Sequence, residues 1–380
     1  MWASHIRLAM TEGNIAAESL PREPDLILFF GATDTLKAES VHSKLQDRFP
    51  AAHILGCSSG TMVDNTTFAD DEIVAVAVGF DKTKIRVASR PLADSSESHD
   101  VGLAIGHELA SDDLSGMYIL SDGLRVNGSA LVEGLIAAVG DQIALSGGLA
   151  GDGARFGETL VTIDGKCASG QVAAIGFYGS AIRIVHGSAG GWDEFGPSRR
   201  ISRSSGSTLY ELDGRPALEL YQRYLGEEAN ALPASGLLYP LKIWDPAHPD
   251  EFVVRTLLAV DHDAHSLTFA GEIPTGWSAK LMRGSFDHLI DGAEVAVRTA
   301  YDKLGEDGLE PSLCLFVSCV GRRLLMGQRT EEEVEAGLSR LGGKPMIGFY
   351  SYGEIAPGNK SNVCGLHNQT VTLTMLAEAA

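Results

Sequence analysis

The chain is short of basic charge, of paired cysteines and of long apolar runs, and each shortage closes off a class of function. Lysine and arginine number 30 against 50 acidic residues, a formal net charge of −20. Such a surface repels phosphate backbones and anionic lipid, so nucleic acid is not an expected partner. The one basic cluster, Arg199, Arg200 and Arg203, is too short to reverse that balance. Apolar runs such as residues 73–80 fall well short of the ~20 residues a spanning helix needs, which argues against membrane insertion. The opening residues, MWASHIRLAMTEGN, lack the basic and apolar regions of a signal peptide, so the expected location is cytoplasmic. The five cysteines (Cys57, Cys167, Cys314, Cys319, Cys364) are odd in number, widely spread and free of any CxxC spacing. That fits free thiols in a reducing compartment and gives no support to a zinc site or a c-type haem attachment.

What is abundant is glycine, 44 residues of 380, in a chain long enough for two or three domains. Apolar periodicity reads as a strand over 25–30, a helix over 35–49, a strand over 53–56 and two strands over 72–80 and 84–90, after a short helix over 13–20. The order returns: helix 100–110, strand 116–120, helix 128–139, strand 143–146, then strands 159–163, 171–178 and 181–186. A third, partial copy has helix 283–304, strand 312–317, helix 330–341, strand 346–350 and strand 369–376. Thr330 and Glu333 have the spacing of a capping box at the start of that last helix. Glycines closing the two main strands of each unit, Gly31 to Gly56, Gly123 to Gly147 and Gly321 to Gly348, are 25, 24 and 27 residues apart. The reading is an α/β protein of repeated helix–strand–helix–strand units forming mixed sheets flanked by helices. Between copies two and three lie a polar stretch (198–207), a helix (216–225) and a loop-rich segment (226–240). The expected division is into two domains, 1–220 and 221–380, with 226–240 as the hinge.

In α/β sheets, ligands favour the carboxyl ends of strands. Here those ends carry glycine and small hydroxyl residues: 56–60, 121–123, 147–153, 318–322 and 351–354. Their exposed N–H groups suit a small anion, and Arg322 would clamp it in bidentate fashion. Asp122, Asp152 and Glu354 would hold an ammonium group, so the set suits a zwitterion in a cleft lined by Asp122, Gly148, Arg322, Tyr350, Tyr352 and Glu354. The same residues read equally as turns with Arg322 in a structural ion pair. Gly56-Cys57-Ser58-Ser59-Gly60 matches the Gly-x-Ser-x-Gly nucleophile elbow, with Asp122 and His186 available to complete a triad. The residues after it are β-branched rather than helical, which weakens a hydrolase reading. Cys319 stands near Arg322 and Arg323, whose charge would lower its pKa and suit thiol chemistry. His186 and His367 sit beside turns, where each can serve the turn, a ligand or a metal.

These segments resemble the FIST family, sensory proteins named for F-box and intracellular signal transduction proteins. The first half is similar to the FIST N-terminal domain through 56–60, 121–123, 147–152, Gly191-Trp192 and Phe195-Gly196-Pro197. The second half is similar to the FIST C-terminal domain through Ser318-Cys319-Val320-Gly321-Arg322, 348–355 and His367-Asn368-Gln369-Thr370. The resemblance implies a cytoplasmic, non-catalytic sensor of a small ligand such as an amino acid or other small carboxylate. It also implies output through a partner: a histidine kinase, a cyclic-dinucleotide enzyme or a chemoreceptor. No cofactor is required on this reading. The alternative is a haem-binding nitric oxide sensor acting on a histidine kinase, with His186 or His367 as axial ligand. A weaker alternative is an enzyme using Ser58 or Cys319. The expected ligand-binding residues are Asp122, Gly148, Asp152, Cys319, Arg322, Tyr350, Tyr352, Glu354, His367 and Asn368.

Overall fold

The computed structural model describes residues 1–6, 20–358 and 363–379. The helix expected over 13–20 lies outside them, Leu20 excepted. Three runs of aliphatic and aromatic residues, apolar on both faces, form the first strands of three parallel pairs. Leu26–Gly31 lies beside His53–Ser58, Leu114–Ser121 beside Ala144–Leu149, and Leu313–Cys319 beside Met346–Ser351. Parallel neighbours need a crossover, and helices supply it: Thr33–Glu39 with Val41–Arg48, Gly128–Val139, and Val320–Met326 with Thr330–Leu338. The single helix expected over 35–49 is two, broken at Ser40, whose φ of 45° is left-handed. An antiparallel strand flanks each first strand: Ile73–Gly79, Gln171–Tyr178 and Val371–Glu378.

The units then exchange parts in a cycle. The hairpin Met62–Asp64/Thr67–Ala69 of the first unit pairs with Met346–Ser351 of the third. The hairpin Val161–Ile163/Lys166–Ala168 of the second pairs with His53–Ser58 of the first. The hairpin Gly353–Pro357/Cys364–His367 of the third pairs with Ala144–Leu149 of the second. Final strands are handed on likewise: Lys84–Pro91 pairs with Gln171–Tyr178, and Ile182–Ala189 with Val371–Glu378. The third unit looks partial in sequence because its corresponding strand, Trp2–Ile6 beside Ile73–Gly79, comes from the other end of the sequence. The outcome is three six-stranded mixed sheets of one topology, as the repeated α/β reading expects.

Strand alternation sets the layers. Leu26, Leu28, Phe30, Tyr118, Leu120, Leu313, Leu315 and Val317 face one core shared by all three units. Ile27 and Phe29, Met117 and Ile119, Cys314 and Phe316 face outward, each set under its own helices. In each parallel pair a glycine stands opposite a large first-strand residue: Phe29 with Gly56, Ile119 with Gly147, Phe316 with Gly348. A Cβ at Gly147 or Gly348 would lie 1.9 Å from the facing carbonyl oxygen, so these positions need glycine.

Between the second and third units the chain builds an eight-stranded antiparallel sheet from Trp192–Ser205 through Ser278–Gly284. The polar stretch 198–207 reads as it does because most side chains of strand Trp192–Ser205 face solvent, with Ile201 buried. Helix Ala217–Leu225 packs on this sheet through Leu218, Leu220 and Tyr221 against Leu209, Leu241 and Phe269, a core of its own.

Candidate functional site

The carboxyl ends of the parallel strands meet on one side of the ring, stitched by hydrogen bonds between units. Ser59 Oγ donates to the Tyr350 carbonyl (2.8 Å), Gly151 N–H to the Ser58 carbonyl (2.9 Å) and Tyr352 N–H to the Leu149 carbonyl (3.1 Å). Two cavities of about 330 Å³ open there.

The first lies where the second unit, the third unit and the antiparallel sheet meet. Its walls are largely apolar, with Leu149, Phe156, Leu258, Phe269, Val320 and Leu366. Two polar side chains in that wall lack partners. Asn368 is 1% exposed, and neither its Nδ2 nor its Oδ1 has a hydrogen-bond partner. Thr256 is 5% exposed, and its Oγ1 is likewise unpaired. Buried polar groups are ordinarily bonded, because leaving them dry costs free energy. Asn368 is held there by its neighbours: Thr370 donates its N–H and Oγ1 to Glu354 Oε2 (3.2 and 2.8 Å), and His367 Nε2 lies 3.0 Å from the Ala356 carbonyl. Ser95, Asn127, Ser207, Thr268, Cys319 and Tyr352 complete the polar part of the wall, and the exposed Glu272 carries the one charge among the described lining residues.

Of the ten residues expected to bind ligand, Cys319, Tyr352 and Asn368 therefore line this cavity. Tyr352 stacks on Phe156 (centroids 4.7 Å apart, planes at 12°) and donates its hydroxyl to the Asp152 carboxylate. Asp152 also accepts from the N–H groups of Phe156, Gly157 and Glu158 (2.8–2.9 Å). Burial works to raise its pKa, but these bonds prevail and hold the carboxyl below its ordinary value. Asp152 thus fastens a loop rather than an ammonium group. Asp122 does the same for another loop, accepting from the N–H groups of Leu124 and Arg125 and, through Oδ2, from Gly170. Gly148 is a buried strand residue whose missing side chain makes room for Val317 and Phe349.

The anion clamp is a correction. The strand ending at Cys319 does not turn at 318–322; it enters helix Val320–Met326, which sends Arg322 inward. There Nε donates to Glu333 Oε1 (2.7 Å), Nη2 to the Leu289 carbonyl (2.8 Å) and Nη1 to the Gly190 carbonyl. The Tyr350 hydroxyl (2.7 Å) and Ser318 Oγ (3.2 Å) also donate to Glu333. The capping box fails for the same reason: Glu333 is spent on this cluster, and Thr330 Oγ1 donates to the Gly327 carbonyl instead. Glu354 lies in strand Gly353–Pro357 and accepts from Ser351 Oγ (2.5 Å). Burial pushes its carboxyl up to about 8. With Arg322, Asp122 and Glu354 all internally satisfied, the zwitterion cleft is not formed.

The enzyme readings lose their geometry too. Ser58 Oγ donates to the Gly151 carbonyl and accepts from Leu160 N–H, both 2.9 Å, so it is tied between two backbone groups. Asp122 bonds only backbone, and His186 Nδ1 lies 3.1 Å from Thr374 Oγ1. Burial first, then the Glu354 carboxyl, push the Cys319 thiol up to about 12, outweighing Arg322. Neither histidine lines either cavity, so neither offers haem a place there. His367 spends Nε2 on Ala356, and His186 is a residue of the edge strand Ile182–Ala189, opposite Thr374 of Val371–Glu378, with its Nε2 buried and unpartnered.

The second cavity is charged and leans acidic, with Asp34, Asp70, Asp71 and Asp152 against Arg155 and Arg323. Arg155 pairs with Asp34 (2.8 Å), Arg323 with Asp70 (3.4 Å), and Thr61 Oγ1 donates to Asp70 (2.5 Å). Thr256 escaped sequence reasoning, since a threonine in the β-rich run 252–260 carries no distinguishing signal. Glu333 was legible only as a cap.

No helix among the described residues is long and apolar enough to cross a membrane. Two uncharacterised proteins, from Mycobacterium bovis and Mycobacterium tuberculosis, are each 25% identical over 242 residues, which is 62% of this chain and 61% of theirs. The match thus spans about three fifths of the length of those curated relatives. A crystal structure of cyanuric acid hydrolase from A. caulinodans aligns with 78% of this chain and 100% of its own at 12% identity. Its TM-score of 0.20 is too low to bear on fold or activity. Residues 25–215 match the FIST N domain and residues 217–357 the FIST C domain, so the chain belongs to the FIST family, whose domains are associated with signal-transduction sensors.

Proposed function

We propose that this protein is a sensor that holds a small organic ligand in the cavity around Asn368 and Thr256 and passes the event to a partner signalling protein. The observation that carries the reading is the pair of buried, unpartnered polar side chains on the walls of one largely apolar cavity. Few convergent polar groups in an apolar pocket are the usual makeup of a small-molecule site. Asn368 belongs to the third unit and Thr256 to the antiparallel sheet, so a ligand bridging them favours one placement of that sheet over others. Differential affinity of this kind is what a sensor needs to shift a conformational equilibrium. The test is a thermal-unfolding panel of amino acids, small carboxylates, neutral amides and haem. A ligand at 100 times its Kd adds about 2.7 kcal/mol, a shift of a few degrees. Stabilisation by one chemical class, lost in Leu258→Trp, which puts a larger side chain at the exposed rim of the cavity, supports the reading. Stabilisation that survives that substitution would place the ligand elsewhere and refute it.

A further inference from the structure

The polar groups of the cavity also define what they would bind. We propose that the ligand is a neutral molecule with a carboxamide- or lactam-type edge, one N–H donor beside one C=O acceptor, on a small apolar body. This inference rests on the sensor reading above.

A primary amide presents a donor and an acceptor side by side in one plane. Asn368 has both free and both buried, so its complement is an edge with the same two functions in reverse order. Thr256 Oγ1 adds a hydroxyl that donates or accepts to a further polar atom. The Tyr352 hydroxyl is committed to Asp152 and the Gly153 carbonyl, and the Cys319 thiol stays protonated beside Glu354. Asn127 Oδ1 accepts from Ala130 N–H (3.2 Å) with its Nδ2 3.5 Å from Glu272 Oε1, Thr268 Oγ1 lies 3.5 Å from Thr208 Oγ1, and Ser95 and Ser207 are not buried, so Asn368 and Thr256 are the buried lining side chains left without partners. The remaining wall of Leu149, Phe156, Leu258, Phe269 and Leu366 suits an apolar body.

Charge excludes the neighbouring classes. A carboxylate would meet Asn368 Oδ1 with no lysine or arginine among the described lining residues. Arg255, beside Thr256, is not in the wall; its Nε donates to the Glu272 carbonyl (3.1 Å) and its Nη1 to the Leu366 carbonyl (3.2 Å). An ammonium group would leave Asn368 Nδ2 unpaired and would find its carboxylate, Glu272, only at the exposed edge of the cavity. At about 330 Å³ the cavity is at the small end of ligand pockets, which limits the body to about one ring.

Benzamide, benzoate, benzylamine and toluene share one ring and differ only in the edge. Each is titrated into the full chain carrying 13C-labelled threonine methyls, with Thr256 as reporter. Benzamide is expected to move the Thr256 methyl and to bind about tenfold or more tightly than benzoate or benzylamine, the difference of one lost hydrogen bond to a buried group. Asn368→Leu is expected to weaken benzamide by about the same factor and to leave toluene binding unchanged or tighter. Thr256→Val, read through Thr268, gives an independent variant of nearly the same shape, expected to weaken benzamide more than toluene. Benzoate or benzylamine binding as tightly as benzamide would overturn the neutral edge and leave the sensor reading intact. Unaltered benzamide affinity in Asn368→Leu would overturn it as well. If no member of the series moves the Thr256 methyl, both the edge and the cavity as ligand site are overturned.

Discussion

Replacing Asn368 with leucine tests whether this amide serves the fold or a ligand. The side chain is buried with both polar atoms unpaired, so it gives the ligand-free protein no hydrogen bond to lose. A buried polar group in that state costs about 1–3 kcal/mol on mutational scales. Leucine is close in shape and meets Leu149 and Leu366 in the same wall, so the substitution relieves that cost and adds apolar contact. With an unfolding entropy of about 2.1 cal/mol/K per residue, a chain of 380 residues gains about 1–4 °C in Tm from 1–3 kcal/mol. The assay is differential scanning calorimetry of both proteins without ligand. A fall of several degrees would show that Asn368 is a structural residue with partners of its own, and the argument for the site would collapse with it.

Three further outcomes follow from the same geometry. Glu333→Ala leaves Arg322, itself 0% exposed, without its carboxylate, and should cost about 3–5 kcal/mol in urea unfolding; a loss below about 1 kcal/mol would contradict the buried pair. Glu354 has a folded pKa raised from 4.5 to about 8, so the stability it contributes is full below 4.5 and is lost as pH rises through 8. Glu354→Gln should therefore flatten the decline of stability across that window, and parallel curves for the two proteins would refute the assignment. Gly348→Ala drives a Cβ to 1.9 Å from the Phe316 carbonyl and should destabilise by about 1–3 kcal/mol or more, measured by chemical denaturation, whereas a neutral result would contradict the strand pairing.

The repeat was legible because its causes are local. Residues 25–30, 116–120 and 312–317 are apolar on both strand faces, and the glycines at 56, 147 and 348 occupy one register position in all three pairs. The exchanged hairpins were not legible: Met62–Asp64 and Val161–Ile163 are three-residue strands whose partners lie in other units, and nothing near them encodes that choice. The strand ends were read as the place for a site, and the cavity proposed here opens beside them, but polar residue types there do not reveal their partners. Arg322, Asp122 and Glu354 look like ligand groups in sequence and are consumed by the fold. Asn368 differs from them only in what it lacks, and a missing partner is visible in three dimensions alone.

The central claim is that the cavity joining Asn368 and Thr256 is where this sensor takes its ligand. The most direct measurement is a crystal structure with the first compound that raises the Tm. The account predicts density between the Asn368 amide and the Thr256 hydroxyl, against Leu258 and Phe269. Density in the charged cavity beside Arg323 and Asp70, or on the outer surface, would contradict it.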